Sequence, residues 1–408
     1  MSRLNARSLK VALVWLRPVC NKEHVGIGQT PQSHDKSWKA AAMVRAAITP
    51  RNGASFEIAN IDLDQPRLGE VLVEIAGVGI CHTDIAAVHG QVPFSLPGVL
   101  GHEGAGIVLA IGEGVTKVVP GDHVVLTFDH CGTCANCGSG NPAYCLNFNP
   151  LNGAGVRVED GSSAIHRDGE ALSSFFFGQS SFSSHALARE RNVVKISKDV
   201  PLALMGPLAC GVQTGAGAIM RSLAVRRGST LLVVGAGPVG MSAVLAGVIQ
   251  GCSSIIVSEP HEVRRAMAIK LGATHVIDPI AQDLVTEVKA ILPEGVNYAL
   301  DTTANEAVVS AVIECIAVLG SIGLVGVASD PLAKLSTSLM GIMGRGITVR
   351  GIVEGDSDPD QFIPELVNLY KEGRFPFDAM CQTYALDDIN AAVDDQLTGR
   401  CLKPILLP

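Results

Sequence analysis

Four cysteines stand close together at Cys131, Cys134, Cys137 and Cys145. Thiolates at these intervals can wrap one tetrahedral ion, and four of them leave no position for water, which makes a closed, structural zinc site. An iron–sulfur cluster, a nucleic-acid zinc module and unliganded thiols are the competing readings, because ligand softness alone does not exclude iron. A nucleic-acid module needs surrounding Lys and Arg. Residues 119–150 contain neither. Three further segments carry metal-binding residue types: Gly79-Ile80-Cys81-His82-Thr83-Asp84, Gly101-His102-Glu103-Gly104 and Pro207-Leu208-Ala209-Cys210-Gly211. Singly, each has a plain reading. Cys81 is then a core thiol, His102 a turn histidine and Cys210 a helix-capping thiol.

A second kind of chemistry sits further along. Val233-Val234-Gly235-Ala236-Gly237-Pro238-Val239-Gly240 is a G-x-G-x-x-G between a strand pattern and a helix pattern. The first glycine allows a tight turn, the second lets a pyrophosphate approach the backbone, and the third lets helix and strand pack closely. Glu259 follows at the end of the next strand pattern. An acid there binds the ribose hydroxyls of NAD and repels the 2′-phosphate of NADP. Arg264 and Arg265 are near enough in sequence to cradle that phosphate, so NADP stays possible.

These residues need elements to hold them. From about Ala41 to Lys198 the chain reads as short strands and turns, with strands at Val71–Gly79, Gly104–Ile111 and His123–Thr127 and glycine punctuation between them. That spacing predicts a barrel-like β domain. After Arg226 the pattern alternates. Strands are expected at Thr230–Gly235, Ser254–Glu259, His275–Asp278, Val296–Asp301, Ser321–Val327 and Ile347–Val353. Helices are expected at Pro238–Gln250, Glu262–Leu271, Asp283–Leu292 and Asn305–Leu319. Six strands alternating with helices predict an α/β, Rossmann-type doubly wound parallel sheet. The tail, 354–408, is expected to return to the first domain.

Whole-chain composition narrows the partners. Of 408 residues, 47% are hydrophobic and 17% charged, which suits a buried globular core. A formal charge of -8 disfavours nucleic acid and anionic lipid. Clustered cysteines point to metal ligation in a reducing compartment, hence to the cytoplasm. Ser229–Ile249 is uncharged and long enough to span a bilayer, but its glycines and proline fit a buried strand-turn-helix better. Residues 1–40 stand apart. Arg3, Arg7, Lys10 and Arg17 precede the first acid, Glu23, which fits a disordered tail, an over-extended start or an organelle transit peptide.

The order and spacing of the three Cys/His segments, the four-cysteine lobe and the glycine fingerprint resemble the zinc-containing medium-chain alcohol dehydrogenases. The resemblance runs from about Ala41 to Pro408. Phe176-Phe177-Gly178-Gln179-Ser180-Ser181-Phe182 and the run Arg191–Lys195 are most similar to the aryl (benzyl) alcohol dehydrogenase branch. It implies a GroES-like catalytic domain over 41–211 and 354–408, a Rossmann domain over 212–353, and two zinc ions per chain. The implied ligands of the catalytic zinc are Cys81, His102 and Cys210, with Glu103 behind the metal and one position open. Asp84 would fix the imidazole of His102. Thr83 would take the alcohol proton while the metal acidifies the hydroxyl and nicotinamide accepts the hydride. His82 and Lys403 would contact the pyrophosphate, although Lys403 reads almost equally well as a solvated surface lysine. Thr214 and Val239 would press the nicotinamide toward the metal. Phe128 would line the substrate pocket, or simply fill the core.

The implied reaction is reversible oxidation of a primary, aryl or allylic alcohol by NAD. Alternatives within the family are polyols, S-hydroxymethylglutathione, or NADP-dependent aldehyde reduction. One departure stands out. Many members carry a histidine three residues after the hydroxyl relay, and Ala86 stands there, with His89 nearby. The resemblance further implies a homodimer or homotetramer, for which strand Ile347–Val353 could pair across the interface if it lies at the sheet edge.

Overall fold

The computed structural model describes residues 44–328, 330 and 332–408. The expectation for residues 1–40 lies outside the described residues. Three sheets organise the rest. Strand Glu70–Gly79 is the hub of the largest. It pairs antiparallel with Gly104–Ile111, with His185–Arg189, and with the C-terminal strand Lys403–Leu407. A smaller antiparallel sheet runs in the order Gly98–Val99, Val44–Thr49, Glu57–Leu63, Ile165–Arg167, Glu170–Leu172. One buried apolar cluster, including Val71, Val73, Leu126 and Phe182, fills the space between these strands.

The third sheet is parallel. Its spatial order is His275–Ile277, Ser254–Ser258, Thr230–Val234, Val296–Asp301, Ile316–Leu324, Thr348–Gly351. The chain thus starts in the middle, runs to one edge and returns to build the other, which is the doubly wound arrangement. Alternation explains why both faces are covered. Leu231 and Val233 join one apolar cluster and Leu232 and Val234 another. The uncharged stretch is divided between strand Thr230–Val234 and helix Pro238–Gln250. Among the described residues no helix is long and apolar enough to cross a membrane.

The largest departure from expectation is one junction, and the strand that follows it ends at Leu324 rather than Val327. The helix expected to reach Leu319 ends at Cys315, and the strand expected to start at Ser321 starts at Ile316. The β-branched Ile316 pairs with Val296 across a register shift. Gly295, at φ +86°, passes so close to the Cys315 carbonyl that a Cβ there would lie 2.4 Å from its oxygen. Tertiary pairing therefore overrides a helical period that the residues alone would sustain.

Candidate active site and metal centres

The hub sheet explains how distant residues meet. Val78 on strand Glu70–Gly79 pairs with Gly104, so the chain just past one strand and just before the other emerge side by side. Cys81 lies past the first and caps helix His82–Val88. His102 and Glu103 precede the second. Cys210 caps helix Gly211–Gly217 and closes the group. One ligand atom from each of Cys81, His102, Glu103 and Cys210 lies within 4.8 Å of the others.

Asp84 organises the centre. Its Oδ1 accepts the Nδ1–H of His102 at 2.8 Å and the Gly101 amide at 3.1 Å, and its Oδ2 accepts the Cys81 amide at 2.9 Å. Placing the ring proton on Nδ1 leaves the His102 Nε2 lone pair bare. That atom is buried with no hydrogen-bond partner among the described residues. A buried nitrogen clustered with two thiols, with no other use for its lone pair, fits a metal ligand. Burial works against a charged His102, but the Asp84 carboxylate and Cys81 outweigh it and raise its pKa. The Cys210 hydrogen bond drives the Cys81 pKa well down, against burial. A bare cluster thus favours a Cys81 thiolate beside a charged His102, and a metal taking Nε2 would displace the imidazole proton.

Glu103 stands behind this group. Its Oε1 accepts the Gly211 amide at 3.2 Å, and its Oε2 is ion-paired with Lys403. Lys403 is 1% exposed and also donates to the Ile80 carbonyl at 3.0 Å. The reading of Lys403 as a solvated surface lysine is therefore corrected. The C-terminal strand runs beside Gly79 and carries this lysine inward, because Gly79 has no Cβ to collide with Glu103. Thr83 lies beside the cluster, its Oγ1 3.7 Å from the Cys81 sulfur. His82 is exposed at the start of the same helix, His89 is exposed at its end, and Ala86 is buried.

The four-cysteine lobe is equally compact. All four sulfurs lie within 4.8 Å of one another. Zinc–sulfur bonds of about 2.3 Å at tetrahedral angles put neighbouring sulfurs about 3.8 Å apart. Cys134 and Cys137 are separated by 3.5 Å, and Cys131 and Cys137 by 3.9 Å. Backbone amides of Cys134, Cys131 and Asn147 donate to these sulfurs at 3.2 to 3.4 Å, which stabilises thiolates. The donor set fits zinc without a water position.

The glycine loop separates its three tasks. Gly235 has φ +87°, and a Cβ there would strike Thr302. A Cβ on Gly240 would lie 1.9 Å from the Gly235 carbonyl, so this glycine lets helix and strand close. A Cβ on Gly237 would meet nothing within 4 Å, leaving open room in front of the helix N-terminus. Glu259 is buried and accepts the amides of Ala236 at 2.8 Å and His261 at 3.0 Å. Arg264 reaches the Gln396 carbonyl at 3.5 Å, while its Nε has no partner among the described residues. Arg265 is tied to Asp278 and to the Glu259 and Pro260 carbonyls.

Residues 67–198 match the alcohol dehydrogenase GroES-like domain family, and residues 238–372 match the zinc-binding dehydrogenase family. The geraniol dehydrogenase of Castellaniella defragrans is 43% identical over 89% of this chain and 97% of that protein. The chain belongs to the zinc-containing medium-chain alcohol dehydrogenases. It is an oxidoreductase acting on CH–OH groups. Among solved structures, the benzyl alcohol dehydrogenase of Acinetobacter calcoaceticus is 44% identical, covers 90% of this chain and 99% of its own, and superposes with a TM-score of 0.86. A zinc-binding domain alcohol dehydrogenase from Burkholderia ambifaria is 47% identical, with coverage of 90% and 99% and a TM-score of 0.88.

Phe177, Gln179 and Glu354 border this dehydrogenase's cluster of Cys81, His102 and Cys210, and sequence reasoning gave none of them a role there. Phe177 stacks on His102, ring centroids 4.6 Å apart, and Phe148 meets Phe177 edge-on at 6.1 Å. Phe128 is buried one ring further out, 5.8 Å from Phe148. Gln179 ties the segment down, donating to the His102 carbonyl at 3.0 Å and accepting the Gly104 amide at 3.1 Å. Phe177 and Gln179 sit in the stretch that carried the aryl-branch resemblance, and that was the available signal. Glu354 is buried, its Oε2 within 3.2 Å of Gln213 Nε2 and 3.4 Å of Thr214 Oγ1. Burial pushes its pKa up to about 7. Neither composition nor motif marked it.

Proposed function

We propose that this enzyme interconverts primary aryl or allylic alcohols and their aldehydes, with NAD as hydride acceptor. The observation that carries the substrate class is Phe177. Its half-buried ring stacks on the proposed ligand His102, so a flat aromatic surface borders the place where an alcohol oxygen would sit. Planar π-systems pack on such a face better than flexible alkyl chains do. Two relatives are named for geraniol, an allylic alcohol, and benzyl alcohol, an aryl one.

Cys81, His102 and Cys210 hold the catalytic zinc, which supplies Lewis acidity to an alcohol hydroxyl when bound. Asp84 orients His102 through the 2.8 Å hydrogen bond. The Thr83 hydroxyl, next to Cys81, relays the alcohol proton, accepting it while passing its own proton outward. Glu103 stays behind the ligands, held by Lys403 and the Gly211 amide. Cys131, Cys134, Cys137 and Cys145 hold the structural zinc. Gly235, Gly237, Pro238 and Gly240 seat the pyrophosphate at the helix N-terminus, and Val239 presses the nicotinamide toward the metal. Glu259 favours NAD over NADP, and Thr214 positions the nicotinamide. Catalysis uses the domains bounded at 211 and 354, and the working form is a homodimer or homotetramer paired through the edge of the parallel sheet.

The test is NAD reduction by the purified protein with benzyl alcohol, geraniol and hexanol. Activity is expected to vanish with a chelator and return with zinc. The kcat/KM for benzyl alcohol should exceed that for hexanol by about tenfold or more, and Phe177→Leu should erase most of that preference. Equal rates on all three alcohols in both proteins would remove the substrate assignment while leaving the reaction class.

A further inference from the structure

The four-cysteine lobe touches a turn beside the active site. Tyr144, next to Cys145, directs its hydroxyl at Asp356, donating to Oδ1 at 2.6 Å, and lies 3.1 Å from the Gly351 carbonyl. Asp356 also holds Arg350 and Ser222 through its Oδ2. Of these partners only Tyr144 comes from the lobe.

The turn that Asp356 belongs to is strained. Glu354, Gly355 and Asp356 have φ of +49°, +69° and +51°. Two of the three are not glycine, and a left-handed backbone there persists only if its surroundings enforce it. Gly355 shows how tight those surroundings are. A Cβ on it would lie 2.5 Å from the Gln213 carbonyl and 2.8 Å from the Gly217 Cα. The turn is thus wedged against helix Gly211–Gly217, the helix that Cys210 caps.

The strained backbone delivers one side chain. Glu354 accepts the Thr214 hydroxyl at 3.4 Å and the Gln213 side-chain amide at 3.2 Å. Gln213 has other acceptors, donating to the Ala209 carbonyl and approaching Thr127 Oγ1 at 3.0 Å. For the Thr214 hydroxyl, Glu354 is the partner among the described residues, and that bond selects the threonine rotamer.

We infer that the cysteine lobe positions Thr214 at the nicotinamide end of the cofactor site, acting from Tyr144 through the Asp356–Glu354 turn. This rests on the reading that Thr214 faces the nicotinamide. It gives the lobe a task beyond holding its own fold. Tyr144 and Glu354 are positioning residues, and neither touches the reacting atoms.

The test compares two ligands on zinc-loaded protein by calorimetry: NADH, and ADP-ribose, which lacks the nicotinamide. Tyr144→Phe removes only the hydroxyl, and Glu354→Leu removes the acceptor of Thr214 while Gln213 keeps the Ala209 carbonyl. Each is expected to weaken NADH about fivefold, the effect of one ordinary hydrogen bond, and to leave ADP-ribose unchanged. The double variant should lose no more than either single, because both act through one path. Glu354→Gln keeps an acceptor oxygen and should restore the wild-type ratio. Two zinc ions per chain should remain in every variant. Equal weakening of both ligands, additive losses, or a zinc ion lost from Tyr144→Phe would overturn the inference. Wild-type protein that binds neither ligand would instead overturn the underlying cofactor reading.

Discussion

Asp84 is the residue on which the cluster of Cys81, His102 and Cys210 turns. It accepts from His102, Gly101 and Cys81 at once. Only one of its oxygens faces the imidazole, and that contact decides which ring nitrogen is left bare. In Asp84→Asn an amide group must replace one acceptor, so at least one of those donors goes unpaired. We expect the affinity for the catalytic zinc to fall by about 10–100-fold, read by competition with a coloured chelator. The lobe zinc should be retained. Glu259 carries a separate expectation. Glu259→Ser removes the charge that repels a 2′-phosphate, and the NADPH-to-NADH ratio of kcat/KM should rise about tenfold, equivalent to ~1.4 kcal/mol. An unchanged ratio would show that Glu259 serves only the amides of Ala236 and His261. The clustered cysteines and histidine and the glycines of the turn were legible from sequence because metal and phosphate chemistry restricts both residue type and spacing. Phe177, Gln179 and Glu354 were not. A phenylalanine, a glutamine and a glutamate have many uses, and only the folded chain brings these three to the cluster.

At the scale of elements, strands and helices bordered by glycine were legible to within a residue or two, and Gly104–Ile111, Pro238–Gln250 and Val296–Asp301 to the residue. The period of two or of 3.6 is printed in the side chains there. The helix–strand junction at Cys315 and Ile316 was not, because Ile316, Val318 and Leu319 satisfy either period until Val296 pairs with the first of them. The segment 157–163 has no helix or strand, yet it carries a deeply buried ion pair of the barrel region. Arg157 reaches Glu70 at 2.7 and 3.1 Å, with side-chain exposures of 2% and 3%. It also reaches Asp64 at 2.7 Å. The pair fastens this loop to the start of the hub strand. Arg157→Met leaves Glu70 buried and uncompensated, at a cost of about 3–5 kcal/mol. Thermal unfolding should show a clear fall in Tm, and adding Glu70→Gln should recover much of it. If the double variant is no more stable than the single, the arginine acts by packing, through its 5.5 Å contact over Phe175, rather than by charge.

For the whole molecule, the parallel sheet leaves one edge unexplained within a single chain. Strand Thr348–Gly351 is terminal in the order of strands, and its residues are largely exposed. In the elements around it lie large apolar side chains in water: Leu319 at 80%, Leu339 at 83% and Met343 at 67% exposed. A bare edge flanked by exposed leucine and methionine invites pairing, and a chain that leaves it open risks uncontrolled aggregation. Closed pairing about a twofold axis answers both problems, since one patch then covers its own copy. Light scattering should therefore give a mass of two chains or a multiple of two. Leu339→Asp with Met343→Asp puts two like charges per chain into that contact and should shift the protein to one chain at micromolar concentration. Both substitutions fall at exposed positions of helix Leu339–Arg345, which contributes no residue to either cysteine cluster, so both zinc ions should stay bound. A double variant that keeps the wild-type mass would place the interface elsewhere, and the apolar patch would then need a different cover.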